Sequence, residues 1–111
     1  MRALLASTDL DCRRAVEHYC YWAARHAASL VSALGGLDAV VFTAGIGSNS
    51  PEVRSRIVSH LTWLGLMLDE EANSHNADRL STTESLISAW CVPADEELVI
   101  ARHAIRTLGI A

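Results

Sequence analysis

Residues 39–57 read AVVFTAGIGSNSPEVRSRI, and no other stretch of the chain limits the possible folds so tightly. Val40, Val41, Phe42 and Thr43 are β-branched or aromatic with no charged residue between them, which suits a short central strand buried on both faces. The chain then passes Gly45 and Gly47 and reaches Pro51-Glu52. Proline fits the first turn of a helix there, with Asn49 or Ser50 able to cap it. Strand, glycine turn and helix in immediate succession is an α/β arrangement. The two missing Cβ atoms permit positive φ and close approach of a ligand to the main chain, and the following helix directs its free N–H groups back at the turn. The same glycines also suit a tight turn with no ligand. The segment has no P-loop lysine and does not follow G-x-G-x-x-G, so both readings stand at this level.

The flanking sequence extends the pattern. Residues 9–34 contain neither Gly nor Pro and predict one long helix with Asp9 or Asp11 near its N-terminus, stopped by Gly35-Gly36. Its apolar side chains occupy more than one stripe: Val16, Tyr19, Cys20, Leu30 and Val31 on one side, Trp22, Ala24 and Ala28 elsewhere. Such a helix is expected to be buried on more than one side. A single domain of 111 residues rarely covers it alone, which predicts a neighbour beyond this chain or a subunit interface. After Pro51, Val53, Ile57, Leu61 and Leu64 follow at helical spacing up to Gly65. Residues 66–68 read as a short strand or connector, Asp69-Glu70-Glu71 as the start of a polar helical turn, and residues 73–84 as surface loop. A second strand is expected at 86–92 and a last helix at 96–108, with Leu98, Ala101, Ile105 and Leu108 on one stripe. The expectation is one α/β domain over residues 1–111.

Charge narrows the function. Nine basic residues, all arginine and dispersed along the chain, stand against thirteen acidic ones, for a formal net charge of −4. A basic face for a phosphate backbone is absent, so no nucleic-acid partner is expected. No apolar run approaches the roughly 18 residues that span a bilayer, so no membrane partner is expected either. Three cysteines, Cys12, Cys20 and Cys91, have no zinc or redox spacing and predict reduced thiols in a cytoplasmic protein. The histidines form no H-x-x-x-H or H-E-x-x-H pair; His18 and His26 lie about 12 Å apart by helical rise, too far to share a metal ion. Asp95-Glu96-Glu97, directly after the second strand, admits two readings. Asp95 caps the helix and the glutamates complement its dipole, or one carboxylate reaches a bound magnesium ion.

Three blocks, GGLDAVVFTAGIGSNSPEVR, LGLMLDEEAN and VPADEELVIARHA, together resemble the C-terminal part of the acetate kinase (acetate and propionate kinase) family, in that family's order. The opening MRALLAS is similar to the family's Ser-Ser-Asp-x-Arg segment without its first residues. The resemblance spans essentially the whole chain but only about the last quarter to third of a family member. It implies a partial ribonuclease-H-like domain of the actin, Hsp70 and sugar kinase superfamily. It also implies transfer of the γ-phosphoryl group of ATP, with Mg2+, to a short-chain carboxylate. Carried onto this sequence, Arg2, Gly45, Ile46, Gly47, Ser48 and Asn49 would line the nucleotide side of the cleft, and Glu96 would be the magnesium-site glutamate. Ser48 stands where the family usually has Glu, and Asp95 where it usually has Asn. The family's catalytic Asn, Arg pair, Asp and His, and its acetate pocket, match no residue here. The chain is therefore expected to be a fragment, inactive alone, that pairs as a homodimer or with its missing N-terminal part. The alternative is a non-catalytic nucleotide-binding or dimerisation module.

Overall fold

The structure is a computed structural model that describes residues 1–110. The long helix forms where the sequence places it. α2 runs Leu10–Leu34, the Asp9 carboxylate accepts the Asp11 N–H at 2.8 Å, and Gly35 closes the helix in the left-handed region. Before it, residues that suggested no helix form a short one, α1 (Arg2–Ala6). Met1, Leu4 and Leu5 lean on a small cluster of Val16, Cys20 and Val53, which explains why so short a helix persists.

β1 (Ala39–Phe42) and β2 (Ser88–Cys91) pair in parallel, with Ala39 opposite Ser88 and Phe42 opposite Cys91. Between them come α3 (Ala44–Asn49), α4 (Pro51–Ser59), a 3₁₀ turn at Thr62–Leu64 and α5 (Glu70–Ser74). The chain ends in α6 (Glu96–Leu108). The main core gathers Phe42, Val58, Leu61, Leu66, Leu80, Ile87 and Ala89 between sheet and helices. α2 packs along α4, and the Arg56 guanidinium bridges Glu17 on α2 at 3.4 Å and Glu52 on its own helix at 2.8 Å. No described helix is long and apolar enough to cross a membrane.

Four expectations need correction. The helix after Pro51 does not run to Gly65 as one piece; it gives way to the 3₁₀ turn, and Gly65 adopts φ 85° where a Cβ would meet the Leu86 side chain at 2.7 Å. Residues 73–84 are not plain surface loop: Leu80 donates its N–H to Ala89 and Cys91 donates to Asp78, both at 2.8 Å, so this segment lies antiparallel along the free edge of β2. Asn73, Leu80 and Ser81 are buried there. β1 is not covered on both faces, since Val41 is 55% exposed. α2 buries only Val16, Cys20 and Ala24, one stripe at a spacing of four, and leaves Tyr19, Tyr21, Trp22, Leu30 and Leu34 exposed. Both exposures arise because a single chain of this length supplies one layer of neighbours to elements whose sequences suit two.

Candidate functional site

The glycine segment is a helix, not a flexible turn. Thr43 is extended, Ala44 takes φ 61°, and residues 44–49 then coil into α3. The positive φ that the sequence assigned to a glycine therefore falls on Ala44, and neither Gly45 nor Gly47 adopts one. A non-glycine residue in the left-handed region is uncommon and marks the point where the strand must turn sharply out of the sheet. The glycines serve closeness instead. A Cβ on Gly47 would stand 3.3 Å from the Phe42 carbonyl carbon, so α3 folds back hard against the end of β1. A Cβ on Gly45 would meet nothing within 4 Å, which leaves that face of α3 open. The exposed Asn49 amide donates to the Gly45 carbonyl of its own helix at 3.0 Å.

Two hollows flank this short helix. One, of about 220 Å³, is lined by Met1, Arg2, Leu5, Gly45, Ile46, Asn49 and Ser50. The other, of about 310 Å³, is lined by Ala44, Gly45, Ser48, Asn49, Asn76, Cys91, Pro93 and Ala94. Gly45 and Asn49 belong to both, so α3 is the wall between them. The second hollow opens where both strands end, at Phe42 and Cys91, the place where open parallel sheets accept ligands. Arg2, Gly45, Ile46, Ser48 and Asn49 thus gather around α3, with α1 carrying Arg2 to it. Gly47 lines neither hollow and lies against Phe42. Glu96 also lines neither: it sits exposed in the first turn of α6, beside Asp95, whose carboxylate accepts the Leu98 N–H at 2.8 Å.

Below the second hollow lies a polar knot that sequence reasoning missed. Arg54 on α4 is fully buried. Its Nε donates to Asn73 Oδ1 at 2.7 Å and one terminal nitrogen donates to the Gly47 carbonyl at 2.8 Å. The other terminal nitrogen donates to the Asn73 carbonyl at 2.7 Å and to Asn76 Oδ1 at 2.6 Å. Every acceptor is neutral, and burial pushes the guanidinium below its ordinary value. Asn73 is equally spent: its amide donates to the Pro51 carbonyl at 2.9 Å and to Ser55 Oγ at 3.0 Å. Asn76 sits at φ 52°, a conformation asparagine tolerates better than most residues. Nothing in the order of residues signals this knot, because an arginine at a helix position reads as solvated until a buried acceptor is seen beside it.

Two observations bear on what the walls would hold. The Ser48 hydroxyl oxygen is buried without a hydrogen-bond partner among the described residues, an atom left over on the border of the second hollow. Among the described residues no group of three or more His, Cys, Asp or Glu side chains assembles a metal site. A single exposed carboxylate such as Glu96 still fits magnesium, which is held by one or two carboxylates with water and phosphate completing its shell.

The model of the acetokinase family matches residues 1–102. The acetate kinase of Rhodopseudomonas palustris (strain TIE-1) is 49% identical over 108 residues, covering 96% of this chain and 27% of its own length. That of Rhizobium meliloti is 49% identical over 109 residues, covering 98% and 28%. Among solved structures, a propionate kinase from Francisella tularensis subsp. tularensis SCHU S4 superposes with a TM-score of 0.81 at 34% identity, over 91% of this chain and 26% of its own. The acetate kinase of Entamoeba histolytica gives 0.77 at 30% identity, over 86% and 26%. The α/β architecture is that of these kinases, of the actin, Hsp70 and sugar kinase type. The chain spans about a quarter of the length of the relatives it matches.

Proposed function

This chain belongs to the acetokinase family, and from that membership we propose that it is the C-terminal, nucleotide-side segment of a kinase that passes the γ-phosphoryl group of ATP to a short-chain carboxylate, giving acyl phosphate and ADP. The observation that carries this reading is the gathering of Arg2, Gly45, Ile46, Ser48 and Asn49 around one short helix at the carboxyl ends of two parallel strands. Those are the positions at which the family resemblance puts the nucleotide. The open face at Gly45 lets a flat base or ribose approach the backbone. Gly47 acts one layer back, holding α3 to the strand.

Glu96 is proposed as the protein ligand to Mg2+, which supplies charge neutralisation at the phosphates when bound. Positioning and neutralisation dominate phosphoryl transfer, and no residue of this chain is assigned to the carboxylate pocket or to the catalytic arginines. The chain alone is accordingly proposed to bind nucleotide weakly and to turn nothing over. In the whole enzyme, a cytoplasmic protein on this reading, the exposed apolar faces of α2 and α6 are covered by the N-terminal part or by a second copy of the chain.

The test pairs two measurements on the purified chain. Titration with ATP and Mg2+ is expected to show weak saturable binding, and incubation with ATP, Mg2+ and acetate to yield no acetyl phosphate. Acetyl phosphate formation that disappears in Glu96→Ala would overturn the inactive-alone reading, and the absence of any nucleotide binding would overturn the site. A non-catalytic packing module is the second reading. It is favoured by α6, none of whose side chains is buried, and it would survive that second outcome.

A further inference from the structure

We infer that Arg54 is a positioning residue for the nucleotide-side hollow, fixing its two facing walls through the Gly47 carbonyl on α3 and the Asn76 side chain opposite. The inference rests on the nucleotide reading above and adds a residue that touches neither hollow. Asn76 and Ser48 both line the larger hollow, yet no described hydrogen bond joins Asn76 to α3 directly. The link runs through one guanidinium, which reaches Gly47 with one terminal nitrogen and Asn76 with the other. Nε and the Asn73 contacts anchor that fork to α5. The planar fork is what the geometry needs: it presents rigidly spaced donors to three segments at once, which an ammonium on a flexible stem cannot reproduce.

A purely structural strut would not need a charge. Burying an unpaired cation is costly, and well-packed apolar side chains of similar volume often serve a core as well as buried charged groups do. Arg54 takes part in none of the described ion pairs, and its acceptors are all neutral oxygens. Its fork therefore sets the distance between α3 and Asn76 while its positive charge stands behind the hollow that an anionic ligand would enter. Asn76 meets two demands at once, tolerating φ 52° and presenting Oδ1 to the fork.

The experiment titrates the full chain with ATP and Mg2+ and follows thermal unfolding of the same samples, for the wild type, Arg54→Lys, Asn76→Gly and the double variant. Glycine keeps the positive φ of position 76 available while removing the amide. The expected result is wild-type binding, a loss of affinity of about tenfold in each single variant measured well below its unfolding temperature, and a double variant no weaker than the weaker single one. That non-additivity marks residues acting as one unit, and a strut without a role in the site would shift the unfolding temperature but not the affinity of the folded protein. Wild-type affinity in folded Arg54→Lys, wild-type affinity in Asn76→Gly, or losses that multiply in the double variant would each overturn the inference while leaving the nucleotide reading intact. Should Arg54→Lys fail to fold, Asn76→Gly decides alone. A wild-type chain that binds no nucleotide overturns both.

Discussion

α4 and α6 are built from similar local signals and meet opposite fates. α6 is the better helix on paper: Asp95 caps it with a hydrogen bond, Glu96 and Glu97 complement its N-terminus, Arg106 its C-terminus, and Gly109 closes it in the left-handed region. α4 has a first-turn proline but no side-chain cap bond at Ser50. Yet α4 buries Val53, Arg54 and Val58, whereas α6 buries nothing and leaves Val99, Ile100 and Leu108 each more than 60% exposed. Local chemistry decides that a helix forms; only partners decide where it sits and how firmly it holds. In α4 the partners are within the chain, and they include the knot under the proposed nucleotide site. α6 buries no side chain against the described residues.

The contrast breaks most sharply at Arg54. Arg54→Met removes a donor set from Gly47, Asn73 and Asn76 together and is expected to cost about 3 kcal/mol or more, since each buried acceptor left bare carries its own desolvation penalty. Urea unfolding followed by circular dichroism reads it. Leu61→Ala in the core is expected to cost about 2–5 kcal/mol in the same assay, while Leu108→Ala in α6 changes stability by less than about 0.5 kcal/mol. Equal losses at the two leucines would mean that α6 is packed after all. Amide exchange sharpens the same point: N–H groups of α4 and β2 should exchange slowly and those of α6 fast.

The two glycines of α3 separate next. Gly47→Ala drives a Cβ to 3.3 Å from the Phe42 carbonyl carbon, which is expected to destabilise by about 1 kcal/mol through overpacking. Gly45→Ala meets open space at a helical position, and it should stabilise by up to about 1 kcal/mol by raising helix propensity. Thermal unfolding of both variants distinguishes them by sign.

The smallest effect belongs to Cys20. Its burial, with Glu17 beside it, raises the thiol above its ordinary value. The unfolded chain then ionises first, so stability should be complete below the ordinary thiol range and decline as pH rises through and above it. Cys20→Ala would flatten that decline.

Legibility in the sequence followed how local each cause was. α2 and its Asp9 start, the two strands, the Pro51 helix and α6 with its cap all follow from residues within a turn or two, and the sequence shows them. The corrections cluster where a cause lies far along the chain. α3 looked like a flexible glycine turn because the reason for Gly47, the backbone of Phe42, is visible only once the chain folds back. Asn73 looked like the edge of a loop, and Arg54 was one of nine dispersed arginines with nothing to single it out, because each is explained by the other across 19 residues. The gathering of Arg2 with Gly45 and Asn49 came from family resemblance and not from spacing; no periodicity relates position 2 to position 45.

The most direct test of the nucleotide-side assignment is an amide chemical-shift titration of the 15N-labelled chain with ATP and Mg2+. The expected result is saturable shifts confined to Arg2, residues 44–50, Asn76 and the Glu96 end of α6, with the adenosine-only titration moving a subset of them that leaves Glu96 still, and α5 unmoved. Shifts absent from residues 44–50 at millimolar ATP, or spread evenly over the exposed face of α6, would contradict it.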